Sequence, residues 1–218
     1  MRRIADKWVK FSVLLGHDGV RKHIPVMKKY SEAHLQDLLN QYSFVVAKPI
    51  VGTGGSGVIK IEKQKDGFRL QHRETVHFSH TWNELFQHVE KIRNHRAYMI
   101  QQGINLAKIR GRPVDYRVKM VKKGSSWNIT AVVARLARPG LFITNLCRGG
   151  ELLPGIAAIR RTFPASIVKD KKRTLVGVSR TCTFLLESKF PGVASLGYDL
   201  GIDRSGRIWI LEVNTDPH

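Results

Sequence analysis

Acidic residues are scarce in this chain, with 17 Asp and Glu against 37 Lys and Arg, and the formal net charge is +20. A field of this sign attracts polyanions, among them nucleotides, nucleic acids, anionic membranes and acidic peptides. The basic residues are spread along the chain and do not form a tail, so a basic arm is not indicated.

Cysteine is equally rare, and the two present, Cys147 and Cys182, fit neither a metal-binding nor a redox spacing. We therefore expect reduced thiols in a cytoplasmic protein, because disulfides belong mainly to exported proteins. The apolar run at residues 11–15 is too short for a signal sequence or a membrane span, so no membrane partner is expected. The nine histidines contain no zinc-binding spacing.

With 218 residues, 42% of them hydrophobic, the chain can bury one sizeable core or form two packed subdomains. Periodicity and capping signals predict helices over residues 31–42, 81–93 and 164–189. Alternation predicts strands over 44–47, 58–61, 73–79, 98–101, 114–121 and 127–136. Their irregular order favours the α+β class, and a soft boundary near Gly103 divides the chain into lobes at 1–103 and 104–218.

The end of the chain reads as a β-hairpin around the turn at residues 203–206. A four-residue loop there pairs Leu200 with Trp209 and makes Asp199 and Glu212 diagonal neighbours, about 7–8 Å apart. Strand alternation then gives one apolar face, formed by Tyr198, Leu200, Ile202, Trp209, Leu211 and Val213.

The opposite face of this hairpin carries Asp199, Glu212 and Asn214. Carboxylate and amide oxygens are the ligands that magnesium prefers, so the pattern predicts a magnesium site. A polar outer face without a ligand is the alternative interpretation. The prediction depends on register, because a shift of one residue would turn Asp199 into the core.

Residues 48–57 are rich in glycine and begin with Lys48. Glycines allow backbone N–H groups to approach a phosphate closely, and hydroxyl groups add further donors. The predicted phosphate-binding residues are Lys48, Gly52, Thr53, Gly54, Gly55, Ser56 and Gly57. Because the lysine precedes the glycines, this is not a Walker A loop, and a flexible hairpin tip is the alternative.

Three arginines complete the set of phosphate-binding candidates. Arg117 lies on the polar side of its strand, Arg135 ends the next strand, and Arg148 follows in the segment 145–150. Arginine forks bind phosphate or carboxylate in a bidentate way, although surface exposure on a basic protein is the alternative for each. Taken together, the lysine, glycines, arginines and carboxylates are the parts needed to bind a nucleoside triphosphate and transfer its γ-phosphoryl group.

In the order and spacing of these motifs the chain resembles the ATP-grasp superfamily, and residues 101–117 most resemble its endospore coat-associated YheC/YheD branch. The resemblance implies two α+β lobes with nucleotide bound between them, and an ATP- and Mg²⁺-dependent carboxylate–amine ligase acting through an acyl-phosphate. It implies that the γ-phosphate and the acyl-phosphate are steadied by Arg117, Arg135 and Arg148, and that one or two Mg²⁺ ions are held by Asp199, Glu212 and Asn214. Nucleotide contacts are implied at Lys7, Lys48, Gly52 to Gly57, Gln101, Gln102 and Ile104.

The partners implied by the resemblance are ATP, a carboxylic acid and an amine acceptor, in a cytoplasmic or spore-associated protein. The positive charge favours an anionic acid, such as an acidic peptide. The superfamily's usual hinge acid is replaced by Gln101 and Gln102, which leaves the ribose contact unassigned. Two alternatives stay open. A non-catalytic ATP-binding spore-coat scaffold is favoured by the absence of the domain that usually precedes the first lysine, and a nucleic-acid-binding protein is favoured by charge alone.

Overall fold

The structure, a computed structural model, describes residues 2–215 and confirms the predicted α+β class. The helices are α1 Lys7–Leu15, α2 Asp18–Arg21, α3 Glu32–Gln41, α4 Trp82–Arg93, α5 Gly155–Arg160 and α6 Ala165–Lys189. The strands are β1 Met27–Lys29, β2 Phe44–Pro49, β3 Ile59–Gln64, β4 Gly67–His72, β5 Thr75–Ser79, β6 Tyr98–Gln102, β7 Lys108–Ile109, β8 Arg112–Lys123, β9 Ser126–Leu136, β10 Glu151–Pro154, β11 Ser195–Ile202 and β12 Ile208–Thr215. Within residues 2–215, no helix combines the length and the apolar character that crossing a bilayer requires.

The chain divides into two compact units. Unit 2 is continuous from Pro25 to Ile104, whereas unit 1 combines the residues up to Ile24 with those from Asn105 onward. The predicted lobes at 1–103 and 104–218 assign the first 24 residues to the same lobe as the glycine-rich segment. In the structure they belong to unit 1, because α1 packs against α6 and β12.

Unit 2 is a six-stranded antiparallel sheet in the order β1-β6-β2-β3-β4-β5, with α3 and α4 packed on one face. Both helices begin at the predicted caps. The Ser31 hydroxyl accepts the amide hydrogen of His34, and the Thr81 hydroxyl accepts that of Glu84. The core between helices and sheet includes Leu35, Leu38, Val45, Ala47, Ile59, Ile61, Leu70, Leu85 and Ile100.

Unit 1 contains an antiparallel sheet in the order β10-β9-β8-β11-β12, with β7 paired to β8. The long helix α6 covers one face, where the hydroxyls of Thr183 and Tyr198 lie 2.8 Å apart. Tyr116, Val118 and Met120 of β8 are buried on the same face by strand alternation. The charged residues between them in sequence therefore point to the face opposite α6, as the alternation predicted.

The two cysteines are free thiols in unit 1. Cys182 is buried in α6, and burial raises the pKa of its thiol to about 12. Cys147 is exposed.

The final hairpin forms, but its register differs from the prediction. Leu200 lies opposite Ile210, and Asp199 lies directly opposite Glu212, with Leu211 as the extra residue of a β-bulge. The predicted diagonal arrangement of the two carboxylates is therefore wrong. Two features cause the shift: Ile202 pairs with Ile208, so five residues and not four connect the strands, and the bulge at Leu211 moves the pairing by one further residue.

The bulge also changes which side chains share a face. Ile208 and Ile210 join the core face, whereas Trp209 lies opposite Gly201 on the face of Asp199. A methyl group added at Gly201 would lie 3.3 Å from the Leu211 side chain, which places Leu211 on that face too. The predicted assignment of Trp209 and Leu211 to the apolar face is therefore wrong, because one inserted residue reverses the alternation before it.

Asp203 organises the loop of this hairpin. Its Oδ1 accepts the backbone amides of Ser205 and Arg207, both at 2.9 Å, and its Oδ2 accepts the indole N–H of Trp209 at 2.8 Å. Burial alone would raise the pKa of Asp203, but these hydrogen bonds outweigh it and hold the pKa below the ordinary value.

Replacing Asp203 with asparagine is expected to lower the free energy of unfolding by about 1–2 kcal/mol at pH 7, because an amide nitrogen cannot accept a hydrogen bond. Since the folded-state pKa lies below the unfolded one, the stabilisation is present above about pH 4 and is lost as the pH falls through the folded pKa. Urea unfolding of the wild type and of Asp203→Asn at pH 7 and pH 3 measures the two free energies of unfolding. If the variant is less stable than the wild type by the same amount at both pH values, the prediction is wrong.

Candidate functional site

A charged network lies on the face of the unit 1 sheet opposite α6. Arg117, Asp199 and Glu212 occupy directly opposed positions on β8, β11 and β12. Arg117 donates two hydrogen bonds to Asp199, with Nε 2.6 Å from Oδ1 and Nη2 2.9 Å from Oδ2. Arg135 adds a third donor, since its Nη2 lies 3.0 Å from Oδ2 of Asp199. Three of the predicted site residues thus meet at a single carboxylate.

Arg135 connects Asp199 to a second carboxylate, Asp115, on the neighbouring strand. Its Nε donates to Oδ1 of Asp115 at 2.8 Å and its Nη2 to Oδ2 at 2.5 Å. Asp115, Arg135 and Asp199 are each at most 5% exposed. Buried charges of this kind persist only when they are paired, so the network fixes the arginine side chains in place.

The two carboxylates respond differently to the arginine that they share. Burial opposes ionisation of Asp199, but Arg135 and Arg117 outweigh it and lower its pKa. Burial raises the pKa of Asp115, and the negative charge of Asp199 adds to that effect against the pull of Arg135. The pKa of Asp199 is therefore lower than that of Asp115, because Asp199 has two guanidinium partners.

Glu212 is more accessible than Asp199, with a quarter of its side chain exposed, and Lys7 is its cation. The Lys7 Nζ lies 3.5 Å from Glu212 Oε1. The segment that carries Lys7 is tied to β12, because the Ile4 amide donates to the Thr215 hydroxyl at 2.9 Å. Lys7, predicted as a nucleotide contact, is thus placed beside a predicted metal ligand.

Lys10 is a site residue that the sequence analysis missed. It is 3% exposed, and its Nζ donates to the carbonyl of Ile4 at 2.8 Å. Burial lowers the pKa of Lys10 to about 8, with a further contribution from Lys7 and an opposing one from Glu212. The signal was its i,i+3 spacing from Lys7, which becomes visible only once α1 is recognised as a helix.

The donor set at this face suits a magnesium ion. Glu212 and Asn214 are partly exposed and offer a carboxylate and an amide oxygen. Asp199 is more occupied, since three of the roughly four lone-pair positions of its carboxylate accept arginine hydrogens. Within residues 2–215 no cluster of three His, Cys, Asp or Glu side chains forms a metal site by itself. The side chains that could hold magnesium here are therefore Glu212, Asn214 and, through its remaining lone-pair position, Asp199.

Arg148 stands apart from the other two predicted arginines. It lies in the 3-10 turn Leu146–Arg148, between β9 and β10. Its Nε is buried and has no hydrogen-bond partner in the described part of the chain. Its phosphate-binding role remains a prediction.

Unit 2 carries the remaining predicted residues, from Lys48 to Ile104. Lys48 lies opposite Met99, and Gln101 lies opposite Val46, so alternation puts Lys48 and Gln101 on the sheet face away from α3 and α4. Both are buried, at 7% and 4% exposure.

The two residues after Gln101 in the predicted nucleotide set are arranged differently. The Gln102 side-chain oxygen accepts the amide of Val26 at 3.3 Å. Ile104 is partly exposed and follows the end of β6. Their contact with a nucleotide remains a prediction.

The glycine-rich segment is a turn that only glycine forms easily. Gly54, Gly55 and Gly57 have φ values of 64°, 70° and 75°, in the left-handed region. The Tyr98 hydroxyl donates to the Gly57 carbonyl at 2.8 Å, which anchors the end of the turn to β6. The geometry supplies the backbone freedom that the phosphate-binding prediction requires.

A family model described as YheC/D like ATP-grasp matches residues 2–218. The chain belongs to the YheC/D-like ATP-grasp family. It is 26% identical over 193 residues to the endospore coat-associated protein YheD of Bacillus subtilis (strain 168), covering 84% of this chain and 41% of YheD. It is 25% identical over 235 residues to YheC of the same strain, covering 99% of this chain and 61% of YheC. The chain thus spans about half the length of these curated relatives.

Solved structures show the same fold for this family member. An L-amino acid ligase from Bacillus licheniformis superposes with a TM-score of 0.57 at 14% identity, over 97% of this chain and 40% of that one. An N5-carboxyaminoimidazole synthase from Aspergillus clavatus, solved in complex with ADP, gives a TM-score of 0.61 at 10% identity, over 100% of this chain and 46% of that one. At these identities the likeness establishes the ATP-grasp fold.

Proposed function

We propose that this ATP-grasp chain binds ATP with magnesium and joins a carboxylic acid to an amine. The observation that carries the proposal is the row in which Arg117, Asp199 and Glu212 lie side by side, with Asn214 on the same face. It offers oxygen ligands for a cation beside cations for phosphate. Solved relatives of this fold, an L-amino acid ligase and a synthase with bound ADP among them, support the same chemistry.

In this proposal Glu212, Asn214 and the remaining position of Asp199 would hold magnesium. When bound, the metal neutralises charge on the phosphate oxygens. Arg117 is already oriented by Asp199, so it presents its guanidinium group without reorganising. Arg135 is oriented in the same way by Asp115 and Asp199.

The reaction then needs no covalent side-chain nucleophile. An oxygen of the acid attacks the γ-phosphorus, the bond to the ADP oxygen breaks, and an acyl-phosphate forms. The amine attacks the acyl carbon, phosphate leaves, and the amine nitrogen gives up its proton. Positioning and charge neutralisation supply the catalysis, which suits a site built from fixed ion pairs.

Unit 2 carries its own phosphate-binding residues in this proposal. Lys48 places a point charge on phosphate oxygens, and the backbone amides of Gly52 to Gly57 approach them closely. The names of the curated relatives, which are endospore coat-associated proteins, extend the proposal to a protein that associates with the spore.

Replacing Glu212 with alanine is expected to weaken magnesium-dependent nucleotide binding by about tenfold, because the most accessible oxygen ligand is lost. Isothermal titration with ADP, with and without magnesium, measures the effect. Asp18→Ala removes an exposed carboxylate of the same unit and serves as the control. If the Glu212 variant retains the full gain that magnesium gives the wild type, the proposed site is wrong.

Turnover itself is tested by ADP release from Mg-ATP across pools of carboxylic acids and amines. Release that requires both an acid and an amine supports the ligase. Nucleotide binding without release from any pair would instead support a scaffold that binds ATP.

A further inference from the structure

Lys119 is a further cation on the face of the unit 1 sheet that carries Arg117 and Asp199. It lies on β8 two residues beyond Arg117, so both side chains point to the same face, about 6.7 Å apart along the strand. Lys119 lies opposite Gly197, which in turn lies opposite Asn214. These three residues form a row, here called the lysine row, next to the carboxylate row of Asp199 and Glu212.

The charge of Lys119 is in excess on this face. Asp199 is matched by Arg117 and Arg135, and Glu212 is matched by Lys7. Within residues 2–215, no carboxylate pairs with Lys119. The lysine is partly exposed. Because Lys119 is partly exposed and the neighbouring charges are already paired, its ammonium group is available to bind an anion from solution.

Gly197 separates Lys119 from Asn214 in this row and carries no side chain of its own. Neighbouring strands lie about 4.8 Å apart. The four-carbon stem of Lys119 therefore has the length to reach across one strand toward Asn214.

The order of rows along the strands indicates which part of a ligand reaches Lys119. At one end of the face, the row through Gly201 contains the buried ion pair of Asp115 with Arg135, and the apolar side chains of Leu106 and Leu211 lie next to Gly201 itself. The carboxylate row comes next, and the lysine row lies beyond it. A nucleotide with its base on Leu106 and Leu211 and its metal on the carboxylate row directs its terminal phosphoryl group to the lysine row.

We infer that Lys119 is a positioning residue that binds the terminal phosphoryl group of ATP. The inference rests on the proposed function, and it adds a residue that discriminates a triphosphate from a diphosphate. Arg117 and Arg135 are held by carboxylates, whereas Lys119 is able to follow the phosphoryl group as it is transferred.

The test compares affinities for two nucleotides by isothermal titration in the presence of magnesium: ADP and the non-hydrolysable triphosphate adenylyl imidodiphosphate. In Lys119→Ala the affinity for the triphosphate analogue is expected to fall about tenfold while that for ADP stays unchanged. Lys119→Arg is expected to keep the preference, because the positive charge remains. Lys123→Ala removes an exposed lysine at the end of the same strand and is the matched control.

Each outcome of the test bears on a distinct statement. If the wild type binds both nucleotides and Lys119→Ala keeps the wild-type ratio of affinities, the inference is overturned and the proposed function stands. Equal losses for both nucleotides also overturn it, since they indicate a structural role. A wild type that binds neither nucleotide overturns the proposed function and the inference together.

Discussion

Replacing Asp199 with alanine is expected to lower the free energy of unfolding by about 3–5 kcal/mol, because it leaves two arginines without their shared carboxylate. Arg135 is 5% exposed and cannot recover water, and Arg117 loses both of its hydrogen bonds to Asp199. Denaturant unfolding followed by circular dichroism measures the change.

Glu212→Ala is the matched control for this prediction, because Glu212 lies directly opposite Asp199. It is partly exposed and its cation, Lys7, is 3.5 Å away, so its loss is expected to cost less than about 1 kcal/mol. Similar costs for the two alanine variants would show that the buried network does not hold the sheet together. The contrast also makes Glu212 the better residue for testing metal binding, since its removal leaves the fold intact.

Replacing Lys48 with alanine is expected to weaken nucleotide binding by about a hundredfold. The side chain is 7% exposed, so a phosphate contact there is made in a desolvated environment, where a charge-assisted hydrogen bond contributes about 1.5–3 kcal/mol. Isothermal titration with ADP and magnesium gives the affinities.

Lys60 offers the control for Lys48, because it lies on the adjacent strand and on the same sheet face. Its Nζ is 2.6 Å from Glu62, so its charge is already matched within unit 2. Lys60→Ala is expected to leave nucleotide affinity within about twofold. Equal losses in the two variants would point to the general positive field and not to a contact at Lys48.

The sequence predicted the elements of the C-terminal hairpin but not its register. Alternation on β11 is unambiguous, because Gly197, Asp199 and Gly201 alternate with Leu196, Tyr198 and Leu200. The partner strand begins with four consecutive apolar residues at 208–211, which fit either face equally well. Only packing selects the phase of such a run, so the bulge at Leu211 was not predictable from the pattern.

Arg117, Arg135 and Asp199 of the charged network were predicted as site residues, whereas Asp115 and the pairing of the four side chains were not. Arg117 and Asp199 are far apart in sequence, and they become neighbours only because β8 pairs with β11. Sequence reasoning therefore treated Asp199 as a metal ligand and Arg117 as a phosphate ligand, without the ion pair that joins them. The roles remain compatible with the structure, since Glu212 and Asn214 keep accessible oxygens.

Several short elements were not predicted, and α1 and β4 among them were missed for different reasons. Helix α1 had a readable start, because Asp6 caps it by accepting the amide hydrogen of Val9, but its apolar residues were considered only as a membrane signal. Strand β4 has polar residues at Arg69 and Gln71, which face away from the helices of unit 2. A short strand with one polar face gives a weak signal beside the glycine turn at Gly67.

The division of the chain into a continuous unit and a discontinuous one has a consequence for biosynthesis. All residues of unit 2 have been synthesised once Ile104 has been added, so this unit can fold while translation of the following residues continues. Helix α1 has to wait, because it packs against β12 and the Ile4 amide binds Thr215. The residues up to Ile24 are therefore synthesised before unit 2, but they complete their packing only after β12 has emerged.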